Sequence, residues 1–91
     1  MHRADANQTE IVAAWRKFGK LWLNTTQGNS PVDGFLLHSG IWLAIEIKNP
    51  KGRNTMTARQ KEFHDIAKAY GGIIYVIRDM KDAMALIGVE A

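Results

Sequence analysis

Glu46 and Lys48 close a segment that is otherwise apolar. Residues 41–48 read IWLAIEIK, and Asn49-Pro50 follows at once. A half-buried strand alternates apolar and polar residues along its whole length, yet here charge is confined to the last three positions. The run GFLLH, 34–38, precedes it, and Ser39-Gly40 between the two is a two-residue hairpin turn. A turn of that length sets His38 opposite Ile41 and, counted back along both strands, Asp33 opposite Glu46, whereas a longer turn or a bulge would shift the pairing. Side-chain alternation then puts Asp33, Phe35, Leu37, Trp42, Ala44, Glu46 and Lys48 on one face. Like charges facing each other across a strand pair are destabilising, the more so beside apolar surface, where the local dielectric is low. A divalent cation held by both carboxylates offsets that repulsion.

Oxygen ligands select hard cations, magnesium or manganese before others. Such an ion lowers the pKa of a water it holds and makes it a nucleophile for a phosphodiester. Lys48 is placed to orient that water or to stabilise charge developing on phosphorus. The backbone carbonyl of Ile47 projects sideways between the carboxylates and is a further candidate ligand. The competing reading of Glu46 and Lys48 is a strand-end ion pair. Lys51, Arg53, Arg59 and Lys61 follow, with no acid between Lys48 and Glu62. They read either as phosphate contacts or as a solvated basic face. Gln60 has two readings, a cap on its own helix or a side chain turned into the site. Glu10 is divided in the same way, between a capping box with Asn7 and a metal ligand from the first helix. His2, His38 and His64 have no zinc-like spacing and receive no role. Trp15, Trp22 and Trp42 read as core or interface rather than as base-stacking platforms.

The elements that must position these groups are legible from periodicity. NQTEIVAAWRKFGK, 7–20, is predicted helical, with Asn7 as cap and Ile11, Ala14, Trp15 and Phe18 at helical spacing. Strands are expected at 21–26, 34–38, 41–48 and 73–77. A second helix over 57–70 has Thr57 as cap and Gly71-Gly72 as terminator. A short last helix covers 80–88. The order is α-β-β-β-α-β-α, an α/β class. Strands apolar on both faces predict helices on both sides of the sheet. The 91 residues make one domain, 1–91, without repeat or linker. No cysteine is present, so no disulfide framework is available, which fits an intracellular, cytoplasmic setting. No apolar run nears the roughly 20 residues of a membrane span, and MHRADANQTE lacks a signal peptide's apolar core. A net charge of +3 favours an anionic partner such as nucleic acid. The abundance of large apolar residues for so small a domain points to a homodimer.

Glu10 on an opening helix, Asp33 before a strand, EIK closing the next and Gln60 at a helix start together resemble the PD-(D/E)xK nuclease superfamily. Within it, AIEIKNPKGRNTMTARQKEF is similar to the virus-type replication-repair nuclease (VRR-NUC) family, whose members combine an E-V-K strand, a Gly- and basic-rich loop and a Thr-x-x-Gln helix start. AYGGIIYVIRDMKDAMALI fits that family's closing helix, strand and helix. The pattern's usual Pro-Asp is here Val32-Asp33, with Pro31 one place earlier. The resemblance implies a restriction-endonuclease-like fold with a mixed central sheet flanked by helices, and magnesium- or manganese-dependent cleavage of DNA. Stand-alone viral and bacterial members are regarded as structure-specific or junction-cutting enzymes, which for a viral chain means the host cytoplasm. On that carry-over Asp33 and Glu46 are metal ligands, Lys48 is the catalytic lysine, and Glu10 and Gln60 support the active site. The alternatives are a non-catalytic nucleic-acid-binding module and a restriction-type nuclease of the same superfamily with another target.

Overall fold

The computed structural model describes residues 6–25, 30–48 and 58–89. Its elements are α1 (Ala6–Lys17), β1 (Leu21–Asn24), β2 (Gly34–His38), β3 (Ile41–Ile47), α2 (Ala58–Ala69), β4 (Ile74–Ile77) and α3 (Met80–Leu86), in the order that the periodicity predicts. The strands form one sheet in the order β1-β2-β3-β4. The first three are antiparallel, and β4 runs parallel to β3 after the α2 crossover. The sheet is therefore mixed and the class α/β. Among the described residues no helix is long and apolar enough to cross a membrane.

The β2–β3 hairpin turns on Ser39 and Gly40, both with positive φ (52° and 78°). Two successive left-handed residues match the twist of the flanking strands and fix the register. His38 pairs with Ile41 and Gly34 with Ile45, as the two-residue turn requires.

The core lies on one face of the sheet. Ile11, Val12 and Trp15 of α1 and Ala83 and Met84 of α3, followed by Ile87, pack on Trp22, Leu36, Ile45, Ile47 and Ile77. The Trp15 and Trp22 rings meet at 5.5 Å, tilted by 35°, and Trp15 Nε1–H donates to the Ala83 carbonyl at 3.0 Å. That bond satisfies the indole inside the core and ties α1 to α3. Asp79 caps α3 by accepting the Asp82 N–H at 2.8 Å.

The opposite face departs from expectation. Apolar strands on both faces predict helices on both sides, yet α2 buries no residue of its own. Leu21, Leu23 and Trp42, which alternation places on that face, are exposed by 58%, 52% and 48%. Phe18 falls just beyond α1 and is 50% exposed rather than part of the helix's buried stripe. Asn7 is also corrected. It lies within the first turn of α1 rather than capping it, and its side-chain amide donates to the carbonyls of Lys48 (2.8 Å) and Arg78 (3.3 Å). The proposed cap of α2, Thr57, lies outside the described residues.

Gly34 is required by packing. A Cβ there would stand 2.5 Å from Trp22 Cζ2 and closer still to the Leu23 carbonyl oxygen. Real carbons do not approach so near, so Gly34→Ala must displace the indole or spread β1 from β2. We expect a loss of stability on the order of 2 kcal/mol, as for overpacked cores, read as a lowered melting temperature together with altered Trp fluorescence.

Candidate active site

The paired strands carry the expected register as far as Gly34–Ile45, and Asp33 continues it through other bonds rather than by pairing directly with Glu46. Beyond Gly34–Ile45, the Asp33 N–H donates to the Ile45 carbonyl at 3.0 Å. The Asp33 carboxylate then reaches along β3, and Oδ2 accepts the Ile47 N–H at 2.6 Å. On its other side Asp33 offers its carbonyl to the Thr25 N–H at 2.8 Å. The Thr25 and Ser30 hydroxyls both donate to the Val32 carbonyl, at 3.0 and 2.8 Å. Asp33 is thus held by backbone bonds from both neighbouring strands. The N–H and C=O of one strand residue point to the same side, so the Ile47 carbonyl faces the Asp33 side of β3.

Glu46 and Lys48 are buried, at 3% and 8% exposure. Lys48 Nζ lies 3.4 Å from Glu46 Oε2, and Gln60 Nε2 donates to the same oxygen at 3.2 Å. Both donors converge on Oε2. Glu46 Oε1 is buried and has no hydrogen-bond partner among the described residues. Burial, and after it the Asp33 charge, push the Glu46 pKa up to about 7, against the opposing pull of Lys48 and Gln60. The two carboxylates therefore sense each other, as the hairpin register predicts. A bare buried carboxylate oxygen beside a second carboxylate is a donor set that a hard divalent cation fits. Asp33, Glu46 and the Ile47 carbonyl are the groups that would hold it.

The candidate residues are only partly brought together. Asp33, Glu46, Ile47, Lys48 and Gln60 converge. The Gln60 side chain donates to Glu46; its reading as a helix cap involves Thr57, which lies outside the described residues. Glu10 does not join: it is exposed on α1, and no group of three or more His, Cys, Asp or Glu able to hold a metal occurs among the described residues. The reason is geometric, since α1 turns its buried stripe to the far face of the sheet and presents Glu10 to solvent. Arg59 and Lys61 are exposed in the first turn of α2. Arg59 lines a shallow cleft with Pro31, Phe63 and Ile66, beside the segment that positions Asp33. Lys51 and Arg53 lie outside the described residues.

Two residues at this end of the sheet escape a sequence reading. Asn7 ties α1 to the backbone of Lys48, a long-range contact with no local signature. His64 sits four residues after Gln60 and so on the same side of α2. Its Nε2 is buried without a partner, and burial, followed by the nearby Lys48 charge, lowers its pKa. The i,i+4 spacing from Gln60 is the signal that could have found it. Comparison of the chain with protein-family models, curated proteins and solved structures gave no match.

The raised Glu46 pKa has a stability consequence. The folded protein holds this proton more tightly than the unfolded chain, so the contribution is complete below the unfolded value of 4.5 and is lost as pH rises through about 7. Without divalent cations, the melting temperature should fall across that window, by the equivalent of roughly 3 kcal/mol at most. Glu46→Gln should flatten the profile. A cation bound at the pair should restore stability mainly above pH 7, because it competes with the proton. Thermal unfolding across the pH range, with chelator or with manganese, checks all three outcomes.

Proposed function

We propose that the protein is a magnesium- or manganese-dependent nuclease that hydrolyses DNA phosphodiester bonds, of the VRR-NUC type that its motifs resemble, and that it acts on branched DNA. The observation that carries the reading is the buried Glu46–Lys48 pair beside Asp33, with Glu46 Oε1 left bare. A module that only binds nucleic acid gains nothing from burying Glu46 and holding Asp33 beside it near its basic surface, since both repel phosphate. A strand-end ion pair accounts for one carboxylate and not for the second.

When bound, the cation supplies Lewis-acid activation of water and of the phosphoryl oxygens. The chain's own groups do the rest. Asp33 and Glu46 supply negative charge and oxygen ligands. Gln60 fixes Glu46 through Oε2 and so leaves Oε1 available. Lys48 supplies the positive charge that stabilises the phosphorane-like transition state in a water-poor setting. Arg59 and Lys61 on α2, and Lys51 and Arg53 in the preceding segment, contact flanking phosphates and set register on the DNA. A cytoplasmic site of action belongs to the same reading.

The test is cleavage of linear, flapped and four-way DNA with manganese and with chelator. Activity should require the cation, and Glu46→Gln and Asp33→Asn should each abolish it while DNA binding is retained. Lys48→Met should lose on the order of 100-fold in rate, as when one electrostatic stabiliser is removed. Cleavage in chelator, or by either carboxylate variant, would sink the assignment.

The exposed Leu21, Leu23 and Trp42 favour one addition, that two copies associate through this face of the sheet. Leu21 and Trp42 flank Leu37 across the β1–β2–β3 ladder, and Leu23 stands two residues along β1 on the same face. Two active sites from one gene product suit a symmetric branched substrate. Light scattering should give a mass near twice 10.2 kDa, and Trp42→Lys should return it to that of one chain.

A further inference from the structure

His64 is a buried acceptor that the fold itself does not use. Its Nε2 has no contact with solvent and no hydrogen-bond partner among the described residues. A buried polar atom left unsatisfied costs stability, and an apolar side chain of similar size would remove that cost. Packing therefore does not call for histidine at this position. Lys48 has the opposite surplus. Its ammonium has three donors and, among the described residues, one side-chain partner, Glu46 Oε2, at the long distance of 3.4 Å. Gln60, one turn before His64 on α2, donates to the same Glu46 oxygen that the Lys48 ammonium approaches, and the Lys48 charge is among the influences that lower the His64 pKa. Lys48 and His64 thus come from the two elements that build the site.

We propose that His64 is a positioning residue for Lys48: its Nε2 accepts a hydrogen bond from the Lys48 ammonium when that group turns from Glu46 toward a DNA phosphate. The exchange leaves no buried donor or acceptor stranded. It gives the ammonium a neutral anchor that leaves its positive charge uncompensated, whereas a carboxylate partner would neutralise part of the charge offered to the phosphate. The His64 proton resides on the other ring nitrogen, which suits the neutral form that burial and Lys48 favour. Gln60 and His64 thus divide the work on one side of α2, the first orienting the acid and the second the base of the pair. The catalytic part of this inference rests on the nuclease reading above; the contact between His64 and Lys48 does not.

The experiment compares wild type with His64→Gln, which keeps an acceptor near the Nε2 position, and His64→Leu, which removes it. The first readout is the nitrogen-15 resonance of the Lys48 ammonium in the protein bound to a short DNA duplex in chelator, assigned with Lys48→Met. Its protons should exchange slowly in wild type and in His64→Gln and be lost to exchange in His64→Leu. The second is single-turnover cleavage with manganese. His64→Leu should lose about tenfold in rate, the scale of one hydrogen bond to a charged group, with DNA affinity unchanged and the melting temperature equal to or above wild type. His64→Gln should recover most of the rate. An ammonium resonance unaffected by His64→Leu overturns the proposal, and so does equal cleavage by the two variants. Wild-type protein inert with manganese would overturn the nuclease reading instead, and the ammonium resonance would still decide the His64 contact.

Discussion

The bond from the Ile47 N–H to Asp33 Oδ2, at 2.6 Å, is the contact on which the site depends. It extends the β2–β3 ladder beyond its last backbone pair by letting a side chain take the place of a carbonyl. Asp33 is thereby held where β2 begins, and Glu46 where β3 ends, whatever their mutual repulsion. Two carboxylates in water would separate. Here the separation would break the Asp33 bonds to Ile45 and Ile47 and the Thr25 bond to the Asp33 carbonyl. A charge arrangement that is unfavourable in itself is imposed by a set of hydrogen bonds to the backbone, and that is the form of strain a binding or catalytic site can use.

The scaffold that bears this strain is one-sided. Trp15, Trp22, Leu36 and Ile45 form a dense core with α1 and α3 beneath the sheet, and the Asn7 amide ties α1 to the carbonyls that follow β3 and β4. The polar groups are on the other face, toward α2. Rigidity comes from below and chemistry is displayed above. The lack of any buried residue in α2 follows from this division. That helix makes a polar contact with the sheet through Gln60, the same interaction that orients Glu46.

Electrostatics at this end of the sheet is unbalanced by design of the register. Asp33 and Glu46 face one buried lysine, and burial with the Asp33 charge pushes the Glu46 pKa up to about 7. A structural ion pair of matched charge would hold no such reserve. Glu46 Oε1 and His64 Nε2 are both buried without a partner among the described residues, one on an anionic group and the other on a neutral one. Groups of this kind are costly in a core and persist where a ligand or a transition state completes them.

Much of the arrangement is determined by the sequence alone. Ser39-Gly40 reads as a short turn, and a short turn sets the pairing that runs to Gly34–Ile45, because the period of a strand is two. Element order follows as directly from the helical and alternating patterns, and Gln60 was visible as a candidate. What tertiary structure decided are matters of direction and distance. Glu10 has the right spacing in α1, but the helix rotates to bury Ile11 and Trp15 and so turns Glu10 outward. Asn7 looks like a cap from its neighbours, yet it reaches a carbonyl 41 residues away. Strands 21–24 and 41–47 are apolar on both faces, but that pattern does not say whether a helix of the same chain covers the second face, and Leu21, Leu23 and Trp42 remain exposed. His64 carried no signal of spacing to another histidine, and only the packing of α2 against the end of β3 gives it a neighbour. Local pattern specifies which side chains share a face; rotation of helices about their axes, and contacts between residues far apart in sequence, decide which faces meet.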